Sequence, residues 1–196
     1  KTEFKLCETI GVTTYSAFFT QDFFNSVDVA IMDDVHSSEE YIASNWTVKI
    51  TDEDNVFNPM ATILHKVLND SDFERLTTND KSANDVNGWC ELVPMTFIDE
   101  CKEQIYSCLN NGIEDKTSNY YAWLRISDNI ENCNFYLENR KIYIRPWISP
   151  TKSYPIYLQL KQRILMSATL GKSGELERIT GLNKMTRLPI VNDWDK

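Results

Sequence analysis

An apolar run, Val27-Asp28-Val29-Ala30-Ile31-Met32, stops at two adjacent carboxylates, Asp33 and Asp34, with Val35 and His36 directly behind them. A run this short reads as a strand rather than a helix, and one so nearly continuous in apolar residues reads as a strand covered on both faces. Ser37-Ser38-Glu39-Glu40 follows at once. Serine at an N-cap with acids in the first turn starts a helix, which Tyr41, Ile42 and Asn45-Trp46 continue. Strand, acidic tip and helix make half of a βαβ unit. A second run, Arg163-Ile164-Leu165-Met166, ends in Ser167-Ala168-Thr169-Leu170. The fold class is therefore α/β, with a parallel sheet built from the two ends of the chain.

Between these ends the pattern changes. Asn58-Pro59 with Met60, Ile63, Leu64, Val67 and Leu68 has the spacing of an amphipathic helix with proline near its start. Phe97, Ile98, Cys101, Ile105, Cys108 and Leu109 give a second, which Asn110-Asn111-Gly112 would cap. Tyr120, Tyr121, Trp123, Leu124 and Ile126 give a third, and the polar stretch from Thr77 to Gly88 reads as a loop. Asn134–Leu137 and Lys141–Ile144, joined by Glu138-Asn139-Arg140, predict a β-hairpin. Short helices are expected over Ile156–Leu160 and Gly174–Ile179, the latter closed by Gly181. Short strands are expected over Gly11–Tyr15 and, as an edge because of Pro189, over Thr186–Val191. The simplest division is a parallel-sheet domain from residues 1–44 and 161–196, with residues 45–160 inserted as a mostly helical subdomain carrying a hairpin near 134–145.

The net charge of −9 conceals an asymmetry. Nine cations and 25 acids precede Arg140, whereas eleven cations and four acids lie from Arg140 onward. The basic stretch interleaves charge with aromatics through Arg140, Lys141, Tyr143, Arg145, Trp147, Lys152, Tyr154, Tyr157, Lys161 and Arg163. Cations pair with phosphates and aromatic faces stack on bases, which suits single strands. The same pattern also describes an ordinary hairpin with a basic outer face. Five cysteines, none spaced C-x-x-C, argue against a zinc site or a disulfide framework and for reduced thiols in a cytoplasmic protein. No signal peptide or membrane-spanning run is present in the sequence. Two glycosylation sequons, at Asn45 and Asn69, read as chance without a secretory signal.

Acids at the tip of a parallel strand are where an α/β fold holds Mg2+ against nucleotide phosphates. One carboxylate holds the metal, usually through water, and a second group orients or deprotonates the attacking water. The plainer alternative is an acidic helix entrance, with Asp34, Glu39 and Glu40 favouring the helix dipole. Likewise Ser167 and Thr169 could simply cap a strand end. Leu170-Gly171-Lys172-Ser173 is not a phosphate-binding loop, because Met166 stands where that motif needs its first glycine. No other segment fits the pattern.

Asp33-Asp34-Val35-His36 followed by Ser167-Ala168-Thr169 resembles motifs II and III of DEAD/DEAH-box (superfamily two) helicases, and Gly11-Val12-Thr13-Thr14-Tyr15 resembles their motif Ib region. The resemblance implies a partial RecA-like ATPase domain in which ATP and Mg2+ are used to move along or remodel DNA or RNA. It implies that Asp33 holds Mg2+ through water and that Asp34, an aspartate where the family usually has glutamate, positions the attacking water. It implies that His36, Ser167 and Thr169 couple the nucleotide state to nucleic-acid contacts, supplied by Thr13 and Thr14. Motif I would lie before Lys1, so the partners include the rest of a helicase chain, namely its motif I region and second RecA-like domain. About 130 residues separate motifs II and III. That insertion position is similar to the helical arch of the iron–sulfur repair helicases, although no iron–sulfur cysteine pattern is present. Two other readings stand beside it: a degenerate ATPase scaffold whose insertion binds nucleic acid or a protein partner, and a nuclease using Asp33, Asp34 and Glu39 with magnesium.

Overall fold

The computed structural model describes residues 9–20, 27–36, 38–78, 88–148, 151, 154–168 and 174–188. Among them the fold is mixed α/β, with eight α-helices, one parallel sheet and one antiparallel sheet. No helix among the described residues is long and apolar enough to cross a membrane. The chain divides into two compact units, one of residues 1–13, 21–39 and 148–196, the other of residues 14–20 and 40–147.

In the first unit, β1 (Val29–Met32) pairs in parallel with β6 (Gln162–Leu165), Ile31 opposite Ile164 and Met32 opposite Leu165. The ladder overruns both ends. Lys161 and Gln162 each donate a backbone N–H to the Asp28 carbonyl, and Lys161 Nζ lies 3.0 Å from Asp28 Oδ2. Beyond the strands, Met166 N–H donates to Met32 O and Val35 N–H to Met166 O. The expectation of a strand covered on both faces needs correction. Met32 is buried, but Ile31 is 64% exposed and Val29 and Ile164 are also open, because the sheet has only these two strands among the described residues. α7 (Pro155–Gln159) leads into β6 with proline in its first turn, where a missing N–H costs nothing. α8 (Glu175–Thr180) is bracketed by Gly174 and Gly181, both at positive φ. The buried Thr151 hydroxyl donates to the Thr180 carbonyl and anchors the end of that helix. Thr186–Leu188 is irregular rather than a strand, and Pro189–Val191 lies outside the described residues.

The second unit sets its helices beside an antiparallel sheet. β2 (Val48–Thr51), β3 (Cys90–Leu92), β4 (Cys133–Glu138) and β5 (Lys141–Pro146) form an antiparallel sheet in the order β2-β5-β4-β3. The expected hairpin is its centre. Val48, Ile50, Phe135, Leu137, Ile142 and Ile144 alternate with polar residues and all face inward, fully buried. α6 (Ser118–Ile126) packs against β2 and against a 3-10 turn over Ser127–Asn132, and α5 (Met95–Gly112) packs against that turn and against α3 (Phe57–Leu64). β2 and β3 escape a sequence reading because they have four and three residues, and β3 has no buried position. α4 (Asp70–Thr77) escapes because Leu76 is its one buried side chain; the Asn69 side chain caps it, accepting from Asp72 N–H at 2.9 Å.

Two shorter elements connect the units in sequence. α2 (Ser38–Ser44) follows the acidic tip as expected. α1 (Tyr15–Thr20) replaces the predicted end of a strand: Gly11–Thr14 is irregular, and Thr14 Oγ1 accepts from Ala17 N–H, as a helix cap does. Phe19, in α1, is buried edge-on against Trp46 with ring centroids 5.9 Å apart.

Candidate functional site

Parallel pairing of β1 and β6 brings their C-terminal tips side by side. Val35 is completely buried and pins the turn after β1 through its bond to Met166. His36 Nδ1 then lies 3.1 Å from Ser167 Oγ, a contact between residues 131 positions apart. Asp33 and Asp34 face solvent at the same tip. Asp33 Oδ1 accepts from Asp34 N–H at 2.9 Å, and Asp34 adopts φ 48°. Thr169 lies outside the described residues, as do Leu170 to Ser173. Chemically the tip offers exposed hard-oxygen donors beside an imidazole–hydroxyl pair. A single exposed carboxylate fits Mg2+, which keeps most of its waters and takes one or two carboxylates. Among the described residues, no three or more His, Cys, Asp or Glu side chains converge on a common metal position.

Thr13 and Thr14 are exposed, and Thr14 spends its hydroxyl on the N-terminus of α1. Arg140, Lys141, Arg145 and Trp147 belong to the second unit. Arg140 has a structural job. It takes φ 59° in the hairpin turn, donates its N–H to Leu76 O, accepts Asp52 N–H on its carbonyl and ion-pairs with the Asp52 carboxylate. Lys141 Nζ lies 3.6 Å from Glu138 and Arg145 NH1 lies 3.7 Å from Glu40. Trp147 is 43% exposed just beyond β5.

Sequence reasoning missed Lys49 and Tyr136, which share the outward face of the sheet with Tyr143. Lys49 Nζ sits 5.8 Å from the centre of the Tyr143 ring. Burial, then the nearby Glu138 carboxylate, push the Tyr143 phenol up from its ordinary pKa, so it stays a donor, to Glu138 Oε2 at 3.2 Å. The available signal was alternation: Lys49 stands between two buried residues of β2 and Tyr136 between two of β4. Compared with protein-family models, with curated proteins and with solved structures, the chain matches none.

Proposed function

We propose that the first unit is the later half of a RecA-like ATPase domain of DEAD/DEAH-box helicase type, interrupted by the second unit, in a protein that couples ATP hydrolysis to remodelling of DNA or RNA. One observation carries the reading: two motifs about 130 residues apart in sequence meet at one sheet end, with His36 bonded to Ser167. In this reading Asp33 holds a hydrated Mg2+, which when bound neutralises charge on the transferred phosphate. Asp34 orients the attacking water. The His36–Ser167 bond joins the two tips, so a shift at the acidic turn is felt at β6; Thr169 would extend that link, and Thr13 and Thr14 would meet the nucleic-acid backbone. The phosphate cradle comes from another part of the intact protein, along with a second RecA-like domain, and the work is done in the cytoplasm.

The test is ATP hydrolysis by the intact protein, with and without single-stranded DNA and RNA, against Asp33→Ala. Stimulated turnover that disappears in the variant supports the reading and identifies the nucleic acid. The 196-residue chain alone should not hydrolyse ATP, because its sequence contains no G-x-x-x-x-G-K motif. A second reading, a degenerate ATPase scaffold whose inserted unit does the binding, is favoured by one detail: Asp33 already uses a carboxylate oxygen to hold the Asp34 N–H. Intact protein that binds nucleic acid but shows no Asp33-dependent turnover would select it.

A further inference from the structure

We propose that the outward face of the four-stranded sheet is a binding platform for single-stranded nucleic acid, with Tyr136 and Tyr143 as its stacking surfaces. The registers place one residue from each strand in a row: Lys49 opposite Tyr143, Tyr143 opposite Tyr136, and Tyr136 opposite Leu92. Adjacent strands lie about 4.8 Å apart, so the row carries two neighbouring half-buried aromatic rings with a cation at one end. Every base has a π-face, so such a row holds bases with little regard to sequence. The flanking rows supply Lys141 and Arg145 on the same face. Among the strand positions of this face Glu138 is the sole acid against three cations, although the chain as a whole is acidic.

Lys141 lies 3.6 Å from the half-buried Glu138 and the half-buried Arg145 lies 3.7 Å from the exposed Glu40, and partly exposed pairs that long contribute little. A phosphate can take their place. The tighter Arg140–Asp52 pair belongs to the turn and is not part of the platform. A protein-docking face would need a contiguous apolar patch, whereas here Leu92 is the only large apolar residue facing outward from the four strands. The proposal rests on the second unit alone. Failure of the ATPase reading leaves it standing, and its own failure leaves that reading untouched.

The experiment is fluorescence anisotropy of labelled 15-nucleotide oligo(dT) and oligo(U), and of a duplex of equal length, with the 196-residue chain at low salt and without nucleotide. Single strands should bind more tightly than duplex. Tyr136→Ala and Tyr143→Ala should each weaken binding roughly five-fold or more, and the Phe variants should restore it, because stacking needs the ring and not the hydroxyl. Lys49→Ala with Lys141→Ala should reduce the slope of log affinity against log salt by about 1.4. No binding by the wild-type chain overturns the proposal, and so does equal affinity for duplex. Phe variants as weak as the Ala variants would also overturn it. Should the alanine variants not fold, photocrosslinking wild-type protein to a 5-iodouridine oligonucleotide decides. Adducts on Tyr136 or Tyr143 support the platform, and adducts confined to other residues rule against it.

Discussion

Asp34 sits at φ 48°, in the left-handed region that aspartate and asparagine enter at low cost and β-branched residues avoid. With its N–H held by Asp33, the position is one that aspartate occupies at little cost. Asp34→Asn and Asp34→Gly should therefore leave stability within about 0.5 kcal/mol, while Asp34→Val should cost about 1–2 kcal/mol. Urea unfolding followed by circular dichroism reads this, and an unaffected Val variant would mean the turn relaxes freely. The carboxylates, His36 and Ser167 are legible in the sequence because each follows an apolar run. The partner of His36 is not legible: Ser167 and Thr169 stay open until the parallel register places Ser167 beside it. Cys133 gives a second residue-scale prediction. Burial, then Glu131, push its thiol up to about 12 from 9.0. The folded state thus holds the proton more tightly than the unfolded state. Stability is fully present below pH 9 and should fall as pH rises from 9 towards 12. Unfolding free energies at pH 7, 9 and 10.5 should show that fall, and Cys133→Ala should make it shallower, the rest coming from the other raised groups such as Tyr157; parallel slopes would remove Cys133 as a cause.

At the scale of elements, Gly112 shows how a correct signal can carry the wrong meaning. Asn110-Asn111-Gly112 looks like a helix stop, yet α5 runs through Gly112 and its cap is the extended Ile113. The glycine is there for closeness, since a Cβ at this position would collide with the Val56 side chain. Alanine is the better helix former by about 1 kcal/mol, and overpacking a filled site costs about 1–3 kcal/mol. Gly112→Ala should therefore be destabilising on balance, and in a Val56→Ala background it should become neutral or stabilising. A double-mutant cycle in denaturant measures the coupling, and additive effects would show that the contact yields without cost. Long periodic elements such as α5, and the hairpin with its two-residue turn, are legible because many positions repeat one pattern. β2, β3 and α4 are not, because their few residues draw stability from partners distant in sequence.

At the scale of the whole molecule, an interruption of the βα pattern is plain in the sequence, whereas of the four-stranded sheet inside the interrupting segment only the β4–β5 hairpin is. The core of that unit also reaches back before β1 for Phe19. Phe19→Ala should cost the second unit about 3–4 kcal/mol, as loss of a buried phenylalanine does, although residue 19 lies well outside the segment that sequence patterning assigns to the insertion. The two sheets should also differ in how readily they open. β4 and β5 are paired on both sides and bury Cys133, Phe135, Leu137, Ile142 and Ile144, whereas among the described residues β1 and β6 form a two-stranded pair with Ile31 and Val29 open to solvent. Two strands with one uncovered face are marginal alone, and local opening follows buried apolar contact. Hydrogen exchange read by mass spectrometry should find amides of Phe135, Leu137, Ile142 and Ile144 among the slowest, and those of Ala30 to Met32 and Arg163 to Leu165 orders of magnitude faster. Comparable protection in the two sheets of the isolated chain would mean that the uncovered face of β1 and β6 is sealed in solution. The parallel pair would then be as firmly held as the antiparallel one, and the acidic tip it carries would stand on a rigid base.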